Sequence, residues 1–350
     1  MNELEVKWLL RILLKQMKIG MKETSVLSVF HPEAGQLYDV TTSLSKVCTQ
    51  LRDPSTRLDV IQVQLFNPFR PMLANRVPVD KVAEVMKNEP FYVETKYDGE
   101  RVQLHKEGER YKYFSRNGND LTLSYGASPR EGSLTPHIHA LFAPHVHKCI
   151  IDAEMVGWNP DARCIATKGE HFDVKSLKDG DDLNPCLVAF DCLQVNDDVL
   201  SAHQLKDRLE LLEKMFVSER EGRFMLANRV IKSTTQEVVD CLNAAIEKRE
   251  EGLVVKRPNS TYRLNTRSNE AGWLKLKPDY IDAINDDFDI AIVGGYYGDG
   301  ARAGLLSHFL LAVAEPPVIA GEAPTRFTTV CKVGSGYSMK ELYDLNVHLN

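Results

Sequence analysis

The most informative segment of the sequence is Glu94-Thr95-Lys96-Tyr97-Asp98-Gly99-Glu100-Arg101. A strand is predicted over Phe91–Thr95, and the glycine then predicts a turn into a second strand. A lysine between a strand and a turn is held at a concave edge of the sheet. Its amine becomes a nucleophile when it is neutral, which desolvation or neighbouring cations achieve. Taken by itself, the stretch predicts either a reactive lysine or a surface lysine before a hairpin.

Strands and helices follow this stretch in irregular order, which is typical of an α+β domain rather than of a doubly wound sheet. A hairpin comes first, with alternating strands on either side of a turn at Glu107-Gly108. The further predicted strands are Cys149–Val156, Leu187–Leu193, Phe224–Ile231, Gly252–Lys256 and Trp273–Lys277. The predicted helices are Ala202–Phe216 and Thr235–Lys248, the second opened by a capping box from Thr234 to Glu237.

The flanking regions differ in pattern from this central part. Short helices are predicted in the first seventy residues, one from Trp8 onward and another over Val40–Leu51, until two prolines near residue 70 break the pattern. Beyond residue 282, strands alternate with glycine turns, one of them at Gly294-Gly295, and a helix is predicted over Met339–Leu349. The sequence thus predicts a multidomain α+β chain with an all-α part in 1–70, an α+β domain in 71–282 and the beginning of a β-barrel in 283–350.

Composition excludes several classes of protein. The 350 residues are 43% hydrophobic and 26% charged, as in globular chains rather than disordered ones. Seven cysteines are scattered without a C-x-x-C pair, which argues against a disulfide framework or a zinc site and favours a reducing compartment. No apolar stretch approaches the roughly 20 residues of a membrane span. The net charge of −6 gives no hint of nucleic acid, so a polyanion would bind to local basic clusters.

Three short segments carry side chains that suit a nucleotide. Ser115-Arg116-Asn117-Gly118 offers a guanidinium for a phosphate. In Asp152-Ala153-Glu154 the two acids share one face of a strand, which suits a ribose hydroxyl or a metal ion. Phe190 ends an apolar strand with a ring that can stack on a base. Each segment also has an ordinary interpretation as a surface arginine, a solvated acid or a core aromatic residue.

Two later strands add further charged residues. An odd number of positions separates Glu251 from Lys256, so a flat strand would place them on opposite faces unless Gly252 forms a bulge. Lys275 and Lys277 share one strand face, which is unfavourable for two like charges unless an anion lies between them. For each segment alone, solvated surface residues are again the alternative. A chance occurrence of all the segments in this order and spacing is improbable.

In that order and spacing, the segments resemble the ATP-dependent DNA ligases, a family of covalent nucleotidyltransferases. The resemblance implies that 1–70 is the C-terminal part of a helical DNA-binding domain, 71–282 the adenylation domain and 283–350 the N-terminal part of an OB-fold domain. Three further stretches resemble the end-joining branch of the eukaryotic enzymes, namely 127–136, 248–252 and 333–345.

The resemblance implies roles for the residues of the nucleotide pocket. Lys96 is expected to attack the α-phosphate of ATP, expel pyrophosphate and form a lysyl–AMP phosphoramidate. Glu94 is expected to read the adenine amino group, with Thr95 and Tyr97 lining the same pocket. Phe190 is expected to stack on adenine.

The remaining roles that the resemblance implies concern charge. Arg101 and Arg116 would hold phosphates, first of the nucleotide and later of the DNA end. Glu154 and Glu251 would organise a divalent metal ion, Mg²⁺. The lysines expected to neutralise the α-phosphate are Lys256, Lys275 and Lys277, and Lys168 is expected near the nucleotide.

The function that the resemblance implies is the ATP-dependent sealing of DNA in double-strand break repair by non-homologous end joining. AMP passes to a DNA 5′-phosphate, and the 3′-hydroxyl then forms the phosphodiester. The expected partners are DNA with nicks or broken ends and, for a full-length protein only, a coiled-coil scaffold protein; no membrane partner is expected. The sequence contains no basic run that predicts a nuclear localisation signal, so the expectation of nuclear localisation rests on the resemblance alone.

Two alternatives remain open at the level of sequence. The family's last OB-domain motif and the tandem BRCT repeats of the end-joining branch are absent from this sequence. A truncated fragment that binds ATP and DNA with little ligase activity is therefore one alternative. Another covalent nucleotidyltransferase, an RNA ligase or an mRNA capping enzyme, is the other.

Overall fold

The computed structural model describes residues 1–14, 20–58, 61–166, 173–178, 180–277, 290–315, 323–334 and 336–349. Contacts divide the chain into two compact units, Met1–Ile281 and Asp282–Asn350. The helices are α1 Glu3–Leu13, α2 Glu23–Phe30, α3 Ala34–Thr41, α4 Leu44–Gln50, α5 Val82–Val85, α6 Thr122–Tyr125, α7 Thr135–Ile138, α8 Leu205–Lys214, α9 Thr235–Glu247 and α10 Met339–Leu349. Short 3₁₀ helices lie at Val79–Lys81, His139–Leu141, Val174–Ser176 and Gly300–Arg302.

The strands form three separate sheets. They are β1 Asn75–Arg76, β2 Phe91–Thr95, β3 Glu100–Glu107, β4 Arg110–Ser115, β5 Lys148–Asn159, β6 Cys164–Ile165, β7 Asn184–Val195, β8 Asp198–Val199, β9 Phe224–Leu226, β10 Arg229–Lys232, β11 Leu253–Lys256, β12 Trp273–Leu276, β13 Ala291–Tyr297, β14 Leu306–Ala314 and β15 Phe327–Val333. None of the described helices is long and apolar enough to span a membrane.

The N-terminal region is helical, as predicted, and packs through a small core of its own that includes Leu37, Val40 and Val47. The single helix predicted over Val40–Leu51 is wrong. Thr42 adopts a left-handed conformation with φ of 47°, and the side chain of the next residue, a serine, accepts a hydrogen bond from the backbone of α4. This cap ends α3 and starts α4, so the apolar spacing belongs to two helices.

Two sheets form the body of the first unit. One has five strands in the order β1-β12-β11-β2-β10, and the other has the order β4-β3-β5-β7-β8, with β6 on β5 and β9 on β7. The larger sheet carries the main apolar core, and α9 covers the smaller sheet through residues such as Val238 and Leu242. The predicted strand Phe91–Thr95, the hairpin β3–β4 and the capping box of α9 are confirmed.

The strand predicted over Phe224–Ile231 is wrong, because the chain changes sheets in its middle. β9 pairs parallel to β7 in the larger sheet, whereas β10 pairs antiparallel to β2 in the smaller sheet. At the crossing, the backbone N–H of Ala227 donates to Ala189 at 2.8 Å and that of Asn228 donates to the hydroxyl of Tyr97 at 3.2 Å. The pattern of apolar residues in the sequence does not indicate this change of sheet.

The second unit contains an antiparallel sheet in the order β13-β14-β15, with α10 packed on it through Leu342 against Phe309. The turn predicted at Gly294-Gly295 is wrong, since both glycines lie within β13 and pair with Leu310 and Phe309 beside a register irregularity. The fold class is thus the predicted one: a helical N-terminal region, an α+β body and a half-barrel sheet. The division into domains at residues 70 and 282 stays a prediction.

Candidate active site

Both sheets of the first unit contribute side chains to one cleft, which has about 870 Å³ of empty space, part of it open to solvent. The predicted site residues that line the cleft are Glu94, Thr95, Lys96, Tyr97, Arg101, Arg116, Glu154, Phe190, Lys256 and Lys275. Lys168 lies outside the described residues.

Lys96 directly follows β2, and its backbone N–H donates to the carbonyl of Gly252 at 2.8 Å. The turn that follows must approach β5 closely, since a Cβ on Gly99 would lie 2.2 Å from the carbonyl oxygen of Met155. These contacts fix the backbone on both sides of the lysine. The side chain of Lys96 remains 22% exposed and forms an ion pair with Glu251.

Glu251 bridges two lysines. One of its oxygens contacts Lys96, and the other accepts from Lys277 Nζ at 2.5 Å. Burial opposes the charge of Glu251, but hydrogen bonds from Lys277 and Lys96 more than compensate and hold its pKa below the ordinary value. Glu251 and Lys277 thus join the site through ion pairs.

Gly252 explains how Glu251 and Lys256 both reach the site despite their odd separation. The predicted bulge takes the form of a break before β11, where Gly252 has φ of +136°. A Cβ at this position would lie 2.1 Å from the carbonyl oxygen of Leu276, so only glycine fits. The break turns Glu251 towards Lys96, whereas Lys256 follows the regular strand into the cleft.

We call two neighbouring ion pairs, Lys256–Glu94 and Arg101–Asp152, the floor of the cleft. Lys256 Nζ lies 2.5 Å from Glu94 Oε2, and the two side chains are 2% and 3% exposed. The same ammonium lies 4.6 Å from the ring centre of Phe190 and 4.4 Å from that of Trp273. Burial raises the pKa of Glu94, against the opposing effect of Lys256. Glu94 Oε1 is buried and has no hydrogen-bond partner among the described residues, so it can accept a donor from a ligand.

Arg101 and Asp152 form a second buried pair beside the first. Arg101 Nε and Nη2 donate to the two oxygens of Asp152 at 2.9 and 2.6 Å, and Nη1 donates to the carbonyl of Met72 at 2.7 Å. Asp152 is therefore a structural partner of Arg101, not a ligand-binding acid beside Glu154. Burial raises the pKa of Glu154 to about 7, although Arg101 and Lys96 oppose the shift.

Three cations line the open side of the cleft, and we call them the cationic lip: Arg116, Arg267 and Lys275. No ion pair with an acid involves them in the described part of the chain. Burial, followed by the charges of Arg101 and Arg267, lowers the pKa of Arg116. Burial, followed by Arg267 and Lys96, likewise lowers the pKa of Lys275. Clustered cations without acidic partners favour the binding of an anion.

Sequence reasoning missed Arg267 and Tyr262. Arg267 lies in a polar segment with no strand or helix pattern, so nothing distinguishes it from a surface arginine. Tyr262 is buried, at 4% exposed, and touches Arg101 and Asp152, which lie more than a hundred positions away in the chain. No local pattern reports such a contact.

Comparison with known families identifies the family of the chain. A family model described as an ATP dependent DNA ligase domain matches residues 71–277, and a model described as a DNA ligase N terminus matches residues 1–31. The chain belongs to the ATP-dependent DNA ligases. The resemblance inferred from the motifs is thereby confirmed, as is the enzyme family.

Curated ATP-dependent DNA ligases resemble the chain along almost its whole length. It is 47% identical over 346 residues to DNA ligase 4 of Gallus gallus and 48% identical over 348 residues to DNA ligase 4 of Homo sapiens. Each comparison covers 99% of this chain but 38% of the relative, so the chain spans little more than a third of their length. These matches confirm the predicted resemblance to one eukaryotic branch of the ligases.

A solved structure supports the fold. The structure titled "Pmar-Lig_Pre." aligns with 98% of this chain and 68% of its own, at a TM-score of 0.58 and 18% identity.

Proposed function

We propose that this chain carries out ATP-dependent DNA ligation through a lysyl–AMP intermediate on Lys96. The neutral amine of Lys96 forms a bond to the α-phosphorus of ATP and releases a proton to solvent, while the bond to pyrophosphate breaks and pyrophosphate leaves with its electron pair. The AMP then passes to a DNA 5′-phosphate, and attack by the 3′-hydroxyl forms the phosphodiester and releases AMP. The observation that carries the proposal is the position of Lys96, at the edge of a cleft that offers both a base-binding floor and a cationic lip.

Recognition of adenine is assigned to the floor. Glu94 Oε1 is a buried acceptor without a partner in the described chain, which suits the exocyclic amino group of adenine. Phe190 provides a ring for stacking, and Thr95 and Tyr97 line the same cleft. A guanine base would present a carbonyl oxygen at the corresponding position, so the buried Glu94 favours ATP over GTP.

Charge neutralisation is assigned to the cations around Lys96. Phosphoryl transfer depends mainly on positioning and on stabilising the charge of the transition state. Arg101 and Lys256 approach from the floor, Arg116 and Lys275 approach from the lip, and Lys277 is held near Lys96 by Glu251. Lys168 is retained as a predicted contact of the nucleotide.

Magnesium fits this donor set. Mg²⁺ binds through one or two carboxylates together with substrate phosphates and keeps several waters. Glu154 lies in the cleft with its pKa raised to about 7, so a nearby divalent cation would favour its ionised form. Glu154, and Glu251 once its lysine partners release it, would hold the ion, which supplies further positive charge for the phosphates.

The biological setting is proposed from the relatives. Their name, DNA ligase 4, supports a role in double-strand break repair by non-homologous end joining in the nucleus. DNA with nicks or broken ends is the proposed substrate. The coiled-coil scaffold partner is proposed only for a longer protein, because this chain covers 38% of those relatives.

Labelled ATP tests the proposed nucleophile directly. We expect incubation of the chain with Mg²⁺ and ATP labelled at the α-phosphate to give a labelled band on a denaturing gel, and Lys96→Ala to abolish it. Lys148→Ala is a matched control, because Lys148 also pairs with acids but lies outside the cleft. A labelled band in folded Lys96→Ala would refute Lys96 as the nucleophile.

The nucleotide that labels the chain and the nucleic acid that it seals separate the alternative functions. Labelling by GTP instead of ATP would favour an mRNA capping enzyme, and sealing of nicked RNA but not of nicked DNA would favour an RNA ligase. ATP binding without a labelled band in the unchanged chain would favour the ATP- and DNA-binding fragment with little ligase activity.

A further inference from the structure

Almost all N–H donors of the Arg101 guanidinium are bonded to groups of the protein. Of the five N–H groups of an arginine, four are used: Nε and Nη2 donate to Asp152, Nη1 donates to Met72, and the second Nη2 hydrogen reaches the hydroxyl of Tyr262 at 3.2 Å. One Nη1 hydrogen has no acceptor among the described residues. The guanidinium also lies 5.3 Å from the ring centre of Phe190, the predicted base-stacking side chain.

The hydroxyl of Tyr262 completes this network. It donates to Asp152 Oδ2 at 2.5 Å and accepts from Arg101 Nη2 and from the backbone N–H of Met72, each at 3.2 Å. A phenol has one donor and two lone pairs, so its hydrogen-bonding capacity is full. One oxygen atom thus joins chain segments that lie up to 190 residues apart.

The ring of Tyr262 is held as firmly as its hydroxyl. It packs edge-on against Trp273, with ring centres 5.7 Å apart, and against Phe69 at 6.2 Å. Arg208 covers it at 5.6 Å, and that arginine is itself fully buried in a bidentate pair with Asp191. The hydroxyl therefore cannot move without disturbing the core behind the cleft.

We propose that Tyr262 is a positioning residue that fixes the guanidinium of Arg101, so that a single Nη1 N–H remains for an oxygen of the nucleotide. The inference rests on the proposed function, because it requires ATP to bind in this cleft. Tyr262 does not touch the nucleotide in this scheme and acts only through Arg101. Without its hydroxyl, Asp152 loses a donor, and Arg101 Nη2 and the Met72 N–H both lose their acceptor. The guanidinium is then free to turn and offer its released N–H to Asp152.

The test compares two buried tyrosines. We expect Tyr262→Phe to raise the Kd of ATP about tenfold, the effect of losing one well-placed charge-assisted hydrogen bond. Tyr113→Phe is the matched control, because its hydroxyl is also fully buried and bonds Thr135 Oγ1 at 2.7 Å, away from the cleft. An unchanged Kd in folded Tyr262→Phe, or an equal rise in Tyr113→Phe, would overturn the inference.

A double-variant cycle tests whether Tyr262 acts through Arg101. If it does, Tyr262→Phe has little further effect on the Kd of ATP once Arg101→Gln is present, whereas independent roles would multiply the two effects. Multiplication would overturn the inference while leaving the proposed function intact. Failure of the unchanged chain to bind ATP would instead overturn the proposed function and, with it, the inference.

If Tyr262→Phe does not fold, the unchanged chain supplies the test. A guanidinium held by four hydrogen bonds gives separate, slowly exchanging Nη proton signals for Arg101 in the absence of nucleotide. A single averaged Nη signal would mean that the group rotates freely, and it would overturn the inference.

Discussion

The floor and the lip of the cleft differ in whether their cations are paired with acidic side chains. On the floor, Lys256 is paired with Glu94 and Arg101 with Asp152, and the side chains of these two cations are 2% and 14% exposed. On the lip, Arg116, Arg267 and Lys275 have no acidic partner among the described residues, and Lys275 and Arg116 have lowered pKa values. Both regions line the same cavity.

The difference separates cations whose charge is already balanced by an acid of the protein from cations that have no such partner before a ligand binds. A buried cation requires a partner in the folded state, because an unpaired buried charge is strongly unfavourable. A cation on the lip is hydrated until an anion arrives, so its partner can be a nucleotide or a DNA phosphate. Substitutions in the two regions should therefore affect different measurements.

Lys256→Met is expected to have the largest effect on stability. It leaves Glu94 buried without its ion-pair partner, and breaking a buried pair from one side costs about 3–5 kcal/mol of the free energy of unfolding. Urea denaturation followed by circular dichroism measures the change. The double variant Glu94→Gln/Lys256→Met should recover part of the loss, and a loss below about 1 kcal/mol in the single variant would contradict the structural role of the floor.

Glu154→Gln is expected to change how stability depends on pH. Burial raises the pKa of Glu154 from its ordinary 4.5 to about 7. The folded chain therefore keeps this proton to a higher pH than the unfolded chain, and folding loses stability as pH rises between these two values. The variant lacks this loss, so its stability relative to the unchanged chain should rise over the interval, by at most roughly 1.4 kcal/mol for each unit of pKa difference.

Denaturation in urea at about pH 4 and about pH 8 checks this expectation, because the two conditions lie on either side of the interval. If the variant and the unchanged chain differ in free energy of unfolding by the same amount at both pH values, burial does not raise the pKa of Glu154.

Lys275→Met is expected to have the smallest effect on stability, within about 0.5 kcal/mol, because no ion pair is broken. Burial and the neighbouring cations already oppose the charge of Lys275. The same substitution should weaken ATP binding, measured by calorimetric titration. A stability loss as large as that of Lys256→Met would erase the distinction between floor and lip.

The sequence predicts the cleft better than it predicts the fold that surrounds it. Lys96, Glu251 and Lys256 carry their chemistry within short motifs, and the structure brings them together. The break at Gly252 could be expected, because only an interruption of the strand reconciles the spacing of Glu251 and Lys256. A local motif predicts the position of a reactive side chain when that side chain lies next to the backbone turn that orients it.

The features that sequence does not reveal depend on distant partners. The spacing of Asp152 and Glu154 on one strand face suits a ligand for either acid, but Arg101 and Tyr262 occupy both oxygens of Asp152. The change of sheet between β9 and β10 likewise depends on hydrogen bonds to Ala189 and Tyr97. Apolar periodicity reports burial, and burial is the same in either sheet.

That crossing has a mechanical consequence. β9 belongs to one wall of the cleft and β10 to the other, and only Ala227 and Asn228 connect them. Three Cα–Cα steps from Leu226 to Arg229 span at most about 11 Å, so this short tether limits how far the walls can separate at that point. A ligand of the cleft would therefore be accommodated by movements of side chains more than by a change in the spacing of the two sheets near Tyr97.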